Sequence, residues 1–199
     1  TRTAWPRPTR HSRTIGGSRT PGRPRGGPAP GRMTALVGVF GPGARPGAAM
    51  LPRLFDAMRN RASDTVEQHE LPGAVIAARR HVWESGVDGW TGPLSLQADD
   101  WIVAADASLY YLADLRRRLA PHVALPRDAS SGELLLAALR TWGDRFARYL
   151  EGDYAIVAYE RRTDRVLLAR EFGGKRALAY SILADGTLAV GSSAASVVE

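Results

Sequence analysis

The first strong hydrophobic pattern in this chain begins at residue 35, and a helical pattern follows it. Residues 35–40 form an unbroken apolar run closed by Gly41-Pro42-Gly43, which predicts a buried strand and a turn. Residues 48–59 carry large apolar side chains at helical spacing and predict an amphipathic helix. A polar loop at residues 60–64 then separates this helix from the next segment.

Three strands are predicted in the next part of the chain. The segments are residues 73–80, 92–97 and 101–105, and the pattern allows residues 81–84 to continue the first of them. The third strand has the strongest pattern of the three, and we expect Asp106 to cap or end it.

Two helices are predicted after these strands, and the second has a clear start signal. Leu112, Leu115 and Leu119 form a stripe that predicts the first helix, and Pro121 ends it. Ser130 followed three residues later by Glu133 has the form of a capping box, so the second helix should begin there.

The last part of the chain changes to strand patterns. Strands are predicted at residues 154–159, 166–169, 177–182 and 188–190, with turns at residues 161–164 and 185–186. Short strands linked directly predict an antiparallel meander. Because two helices precede it, the fold class we expect is α+β, with helices packed on sheets.

Residues 1–32 have a composition unlike the rest of the chain. They hold eight arginines and no acidic residue, and they are rich in Pro, Gly and Thr, so we predict a disordered tail. Removing these eight from the 27 basic residues leaves 19 against 20 acidic ones, so the folded part is nearly neutral. With Trp5 as its one aromatic residue, the tail is not expected to bind nucleic acid. We expect the protein proper to begin at Met33.

Several kinds of site are excluded by what the chain lacks. It has no cysteine, so it has no disulfide, thiolate metal site or cysteine nucleophile, and we expect a cytoplasmic protein. Its four histidines have no metal-ligand spacing, so no metal site is predicted. Residues 173–175 (Gly-Gly-Lys) lack the flanking residues of a phosphate loop. No apolar run approaches the ~18 residues that a membrane span needs.

Seven segments carry patterns that are weak alone and stronger in combination. They are residues 33–40 (Met-Thr-Ala-Leu-Val-Gly-Val-Phe), 60–64 (Asn-Arg-Ala-Ser-Asp), 104–111, 130–136, 150–159, 169–180 and 191–193. In this order and spacing they resemble the class II glutamine amidotransferase domain of asparagine synthetases. That domain has a Met-Cys-Gly-Ile start, a His-Arg-Gly-Pro-Asp loop and an Ala-Arg-Asp-x-x-Gly-x-Lys-Pro-Leu segment.

The resemblance implies a domain organisation and a fold. It divides the chain into the tail at residues 1–32 and an amidotransferase type 2-like domain at residues 33–199. The implied fold is an N-terminal-nucleophile hydrolase-like αββα sandwich, in which two mainly antiparallel sheets lie between helices. This agrees with the α+β class that the hydrophobic pattern predicts.

The resemblance also implies a glutamine site in which most positions differ from the family pattern. Thr34 occupies the position of the family's nucleophilic cysteine, whose own α-amino group is the base. Arg61 keeps the arginine that holds the substrate carboxylate. Asp106 and Ala107 replace the Asn-Gly pair that supplies oxyanion donors, and Ser131 replaces the aspartate that holds the substrate amino group.

These differences predict that the glutaminase site is inactive. An ionised carboxylate at position 106 would repel an oxyanion, and losing one oxyanion donor costs roughly 10²–10³ in rate. One alternative keeps activity with Thr34 as an N-terminal nucleophile, since threonine can serve in that role. Another gives the residues ordinary structural roles, with Arg61 as a loop ion-pair partner and Ser131 in the first turn of its helix.

By resemblance, the chain is expected to be the N-terminal part of an ATP-dependent synthetase that forms amides or lactams. The closest patterns are those of β-lactam synthetases and the cyclases of lasso-peptide pathways. ATP and Mg are implied for the following synthetase domain, with its Ser-Gly-Gly-x-Asp-Ser loop, and no cofactor is predicted here. The expected partner is that domain, a precursor peptide or a small-molecule substrate. Alternatives are a non-catalytic docking module and nucleic-acid binding through the tail.

Overall fold

The computed structural model describes residues 34–41, 50–58, 61, 65–80 and 94–197. Within these residues it has nine strands and three α-helices, with two short 3-10 helices at Gly143–Tyr149 and Ala194–Ser196. The strands are β1 (Ala35–Phe40), β2 (Thr65–Leu71), β3 (Ala74–Arg80), β4 (Ser95–Ala98), β5 (Trp101–Leu109), β6 (Gly152–Glu160), β7 (Arg165–Arg170), β8 (Ala179–Ile182) and β9 (Leu188–Gly191). The helices are α1 (Met50–Asp56), α2 (Leu112–Leu119) and α3 (Ser131–Trp142).

The strands form two sheets in which the paired neighbours run antiparallel. The first sheet has the order β2-β3-β1-β9-β8, and the second has the order β4-β5-β6-β7. The prediction of a single meander over the last four strands is wrong, because β6 and β7 belong to one sheet and β8 and β9 to the other. The connection after β7 carries the chain from the second sheet to the first.

Alternation along β1 explains why the two sheets stack with a helix on the outside. Ala35, Val37 and Val39 face away from the second sheet and form an apolar cluster with α1. The intervening residues face the second sheet and join the large core between the sheets. Gly38 lies on this inner face, where an added Cβ would come within 3.3 Å of Val157 on β6. The sheets therefore approach each other closely at this point.

On the other side, α2 and α3 cover the second sheet. Leu115 and Leu119 of α2 are buried in the large core, together with the consecutive apolar residues 134–139 of α3. The layers are thus helix, sheet, sheet and helices, and the α+β class predicted from the sequence is confirmed. No helix in the described part of the chain is long and apolar enough to cross a membrane.

The predicted capping box is present at the start of α3. The Ser130 hydroxyl accepts a hydrogen bond from the Glu133 backbone N–H at 3.3 Å, and the Glu133 carboxylate accepts one from the Ser130 N–H at 2.7 Å. Two N–H groups that a helix start would leave unpaired are therefore satisfied. The capping box therefore fixes the residue at which α3 begins beside the second sheet.

Two features of the strands differ from the prediction. β5 continues to Leu109, so Asp106 lies inside the strand and does not cap or end it. β2 was not predicted at all, because its sequence Thr-Val-Glu-Gln-His-Glu-Leu carries polar side chains on both faces. The predicted tail at residues 1–32 and the extension at residues 81–84 lie outside the described residues, as does most of the loop at residues 60–64.

Candidate functional site

Three of the predicted site residues meet at one end of the space between the two sheets. Thr34 immediately precedes β1, Arg61 follows α1, and Asp106 extends from β5. The Arg61 guanidinium donates a hydrogen bond to the Thr34 carbonyl oxygen, with 3.0 Å between Nη1 and the oxygen. The same Nη1 lies 3.9 Å from Oδ2 of Asp106. The fold thus brings together residues from distant parts of the chain.

The register of β5 explains why Asp106 points towards the first sheet. Asp106 lies on the same face of β5 as Ala104. Ala104 pairs with Val157 on β6, and Gly38 of the first sheet comes close to Val157. Its side chain is therefore enclosed between the layers, and Asp106 is only 1% exposed. An acidic side chain in this position needs partners of opposite charge, because an unpaired buried carboxylate is strongly unfavourable.

Arg176, in the connection between β7 and β8, supplies the closest of these partners. Its Nη1 lies 3.0 Å from Oδ1 of Asp106, and the side chains of Arg61 and Arg176 are 15% and 13% exposed. We call Arg61, Asp106 and Arg176 the ion cluster. It joins two cations to one anion in a nearly enclosed space.

The ion cluster has a defined electrostatic character. Burial lowers the pKa of Arg61, the charge of Asp106 partly opposes this, and the charge of Arg176 adds to it. Asp106 has two guanidinium groups beside its carboxylate. An ionised carboxylate accepts hydrogen bonds but cannot donate them. Asp106 therefore cannot provide the donor that an asparagine amide would provide at the same position.

The side chain of Ala107 lies on the face of β5 opposite to that of Asp106, towards the helices. Backbone groups along β5 alternate between the two neighbouring strands. The Ala105 N–H donates to the Leu94 carbonyl on the β4 side, so the Ala107 N–H is directed to that side as well. The part in supplying an oxyanion donor that the resemblance implies for Ala107 stays a prediction.

The structure places Ser131 in the first turn of α3, directly after the capping residue Ser130, and buries it completely. This agrees with the ordinary structural role considered for it. The implied link to substrate binding stays a prediction.

Arg176, Ser108 and Glu171 were not among the predicted site residues. The Arg176 Nη2 donates a hydrogen bond to the Ser108 hydroxyl at 2.8 Å. Glu171 is buried, and its carboxylate accepts hydrogen bonds from the backbone N–H groups of Tyr154, Lys175 and Arg176. This carboxylate fixes the connection that carries Arg176 into the site. The sequence signal was present, since Glu171 and Arg176 occupy the acidic and basic positions of the segment at residues 169–180.

An exposed polar contact joins the same connection to the end of β5 and the start of β6. The Tyr110 hydroxyl donates to Asp153 at 2.9 Å, and Lys175 Nζ donates to the same carboxylate at 3.1 Å. Partial burial acts to raise the pKa of Asp153, but the hydrogen bonds from Lys175 and Tyr110 outweigh it and lower that pKa. Tyr111 and Phe172, which lie beside these residues in the chain, are 70% and 108% exposed. Exposed aromatic side chains are therefore present in the two segments that Asp153 links.

The described residues show no group of three or more His, Cys, Asp or Glu side chains placed to hold a metal ion. What the site offers chemically is a guanidinium beside the Thr34 carbonyl and a buried carboxylate paired with two guanidinium groups. It presents two cationic groups suited to a carboxylate, Arg61 and Arg176, and the Asp106 carboxylate already lies beside both of them.

Comparisons with known proteins agree with this fold. The family model described as "Glutamine amidotransferase domain" matches residues 33–199. A solved structure of glutamine phosphoribosylpyrophosphate amidotransferase from B. subtilis, complexed with ADP and GMP, superposes with a TM-score of 0.59 at 14% sequence identity. The superposition covers 81% of this chain and 42% of that one. No curated protein matches. The fold is thus an α+β arrangement of the N-terminal-nucleophile hydrolase type, as the resemblance implied.

Proposed function

We propose that this chain, which belongs to the glutamine amidotransferase domain family, is the amidotransferase-fold part of an asparagine synthase-like ligase with a silent glutaminase site. The ligase would use ATP and Mg in a synthetase domain to activate a carboxylate and join it to an amine, forming an amide or a lactam. An amine supplied by the substrate itself makes ammonia from glutamine unnecessary. Like β-lactam synthetases and lasso-peptide cyclases, such an enzyme retains the fold without its hydrolysis.

The observation that carries the silent site is the position of Asp106. Its carboxylate is buried next to Arg176 at 3.0 Å and Arg61 at 3.9 Å. Glutamine hydrolysis builds negative charge on the amide oxygen as the tetrahedral intermediate forms, and donors must be aimed at that oxygen. Asp106 aligns with one of these donors, and an acceptor with a negative charge there opposes the reaction.

The second argument concerns Arg61. In the family pattern this arginine holds the carboxylate of the substrate, and here its Nη1 already donates to Thr34 and lies near Asp106. The Asp106 carboxylate thus lies close to the guanidinium that would bind the carboxylate of glutamine. A free glutamine would have to share Arg61 with Asp106, which weakens binding through like-charge repulsion.

The test is glutamate release from glutamine by protein produced to begin at Thr34. We expect the unchanged protein and the Thr34→Cys variant to stay at background, because the nucleophile alone does not restore an oxyanion donor. Combining Thr34→Cys with Asp106→Asn and Ala107→Gly should raise the rate at least about tenfold above Thr34→Cys, since one donor is worth roughly 10²–10³. Circular dichroism shows whether each variant is folded.

The Thr34→Ala variant is the matched control for the alternative in which Thr34 is itself a nucleophile. If the unchanged protein releases glutamate and Thr34→Ala does not, the silent-site proposal is wrong and Thr34 is catalytic. If Thr34→Cys alone is as active as the combined variant, Asp106 does not silence the site.

A second candidate function is favoured by the exposed aromatic residues near the site. Tyr110, Tyr111 and Phe172 are 47%, 70% and 108% exposed, and Asp153 links the segments that carry them through its contacts with Tyr110 and Lys175. Exposed apolar surface rimmed by polar groups often marks a binding site. A non-catalytic docking module would use this surface to hold a synthetase half or a precursor peptide.

The reading frame after Glu199 separates the two candidates. An in-frame Ser-Gly-Gly-x-Asp-Ser motif within a few hundred codons would support the synthetase, because that loop binds the pyrophosphate of ATP. A stop codon directly after Glu199 would contradict the synthetase role for this chain and leave the docking module as the better proposal.

A further inference from the structure

The strand β8 forms an edge of the first sheet that differs from the other sheet edges. Tyr180 and Ile182 are 63% and 68% exposed. They pair with Val190 and Leu188 of β9, so their side chains lie on the face of the first sheet that is turned towards the second sheet. The second sheet therefore does not cover β8. In the part of the chain that the structure describes, β8 has a paired neighbour, β9, on one side only.

Sheet edges are normally protected from pairing with other chains by charges, by proline or by short length. At the opposite edge of the first sheet, β2 carries Glu67, His69 and Glu70. In the second sheet, β7 begins and ends with arginine, and β4 has four residues. The sequence of β8, Ala-Tyr-Ser-Ile, has no charge and no proline. It is as short as β4, but its exposed side chains are apolar.

The register with β9 identifies the backbone groups on this edge. Leu183 N–H donates to the Thr187 carbonyl, so the hydrogen-bonded pairs between β8 and β9 include Ser181 with Ala189. The N–H and C=O groups of Tyr180 and Ile182 therefore point outwards, away from β9. The outward groups and the exposed apolar side chains belong to the same two residues.

We propose that β8 is the contact between two copies of this chain, paired antiparallel about a two-fold axis at Ser181. In this register, Tyr180 of one copy lies opposite Ile182 of the other, so both outward backbone pairs form hydrogen bonds. The side chains make two aromatic–β-branched cross-strand pairs, a favourable combination. On the other face, the small Ser181 side chains meet at the two-fold axis.

Self-complementarity favours a second copy over another partner. No residue of β8 has a charge that would call for an oppositely charged peptide, and no like charges meet in the two-fold pairing. Because the same patch lies on both copies, the contact closes at two copies and joins the two five-stranded sheets into one. Since each copy contributes four strand residues, we expect a weak dimer that depends on protein concentration.

The first measurement is sedimentation equilibrium of the full chain over a wide concentration range, followed by two double variants. Tyr180→Lys with Ile182→Lys places like charges opposite each other twice in the dimer. Tyr180→Lys with Ile182→Glu removes a similar apolar surface but places opposite charges together. We expect the first variant to raise the dissociation constant of the dimer about tenfold or more. The second variant should have a dissociation constant much closer to that of the unchanged protein. Thermal unfolding checks that both variants are folded.

Amide hydrogen exchange provides an independent readout with an internal control. The Tyr180 and Ile182 amides should gain protection as protein concentration rises, whereas the Ser181 amide, which bonds to β9, should be protected throughout. A chain that stays monomeric, or a dimer that both double variants leave unchanged or weaken equally, would overturn the proposal. So would Tyr180 and Ile182 amides that are already protected in dilute monomer, because another segment of the chain would then cover the edge.

Discussion

At the scale of single residues, the ion cluster determines what the candidate site can do. Asp106 is fully enclosed, and its charge is balanced by Arg176 at 3.0 Å and Arg61 at 3.9 Å. Breaking a buried ion pair by removing one partner is much more costly than removing the whole pair, because the remaining charge stays buried. The three residues should therefore behave as one unit in stability measurements.

Replacing Asp106 tests this dependence. We expect Asp106→Leu to lower the free energy of unfolding by about 3 kcal/mol, because two guanidinium groups would then lose the buried carboxylate that they share. Adding Arg176→Met should recover part of this loss, since one of the uncompensated charges is removed. Urea denaturation at neutral pH measures both effects, and a fully additive loss in the double variant would contradict the coupling.

At the scale of elements, the edge strand β2 is held to the second sheet by a polar contact. The Glu67 carboxylate accepts a hydrogen bond from the Ser95 N–H of β4 at 2.9 Å. Burial raises the pKa of Glu67, although the hydrogen bonds from Ser95 act in the opposite direction. Burial also lowers the pKa of His69, two residues along the same face, against a hydrogen bond with Ser95. Both side chains therefore resist carrying a charge there.

His69 should make the stability of the fold depend on pH. Its pKa in the folded state lies below the ordinary value of 6.5, so the unfolded chain takes up a proton first as the pH falls. The free energy of unfolding should therefore decrease as the pH is lowered from about 6.5 through the folded-state pKa. We expect His69→Gln to reduce this decrease between pH 7.5 and 5.5, measured by urea denaturation at each pH.

Glu67→Gln provides a comparison of opposite sign. The folded-state pKa of Glu67 lies above 4.5, so its contribution is present at low pH and is lost as the pH rises through that pKa. In Glu67→Gln the free energy of unfolding should therefore decrease more steeply on acidification, because the opposing contribution of Glu67 is gone. A His69→Gln variant with the same slope as the unchanged protein would show that the histidine is not the source.

At the scale of the whole molecule, the sequence predicted the layers better than the connections between them. The unbroken apolar run of β1 and the capping box of α3 are strong local signals, and both elements are where they were expected. The order of seven segments correctly predicted a glutamine amidotransferase domain. The division of the last four strands between two sheets could not be predicted, because the hydrophobic pattern of a strand does not specify which strand it pairs with.

The candidate site was also predicted only in part from the sequence. Thr34, Arg61 and Asp106 could be brought together from the resemblance alone, and the structure does place them together. Arg176 occupies the basic position of the segment at residues 169–180, but its contact with Asp106 spans 70 positions of sequence and was missed. The polar strand β2 was missed because backbone pairing with β3 forms it, whereas hydrophobic periodicity reports only side-chain burial.

The ion cluster also has an evolutionary consequence. An asparagine at position 106 alone would leave two buried arginines without their anion, and a cysteine at position 34 alone would gain no oxyanion donor. Each single change thus brings a cost, or no benefit, before the others are present. On the proposal of a silent site, a lineage carrying Arg61, Asp106 and Arg176 together would have no favourable one-step route to glutamine hydrolysis.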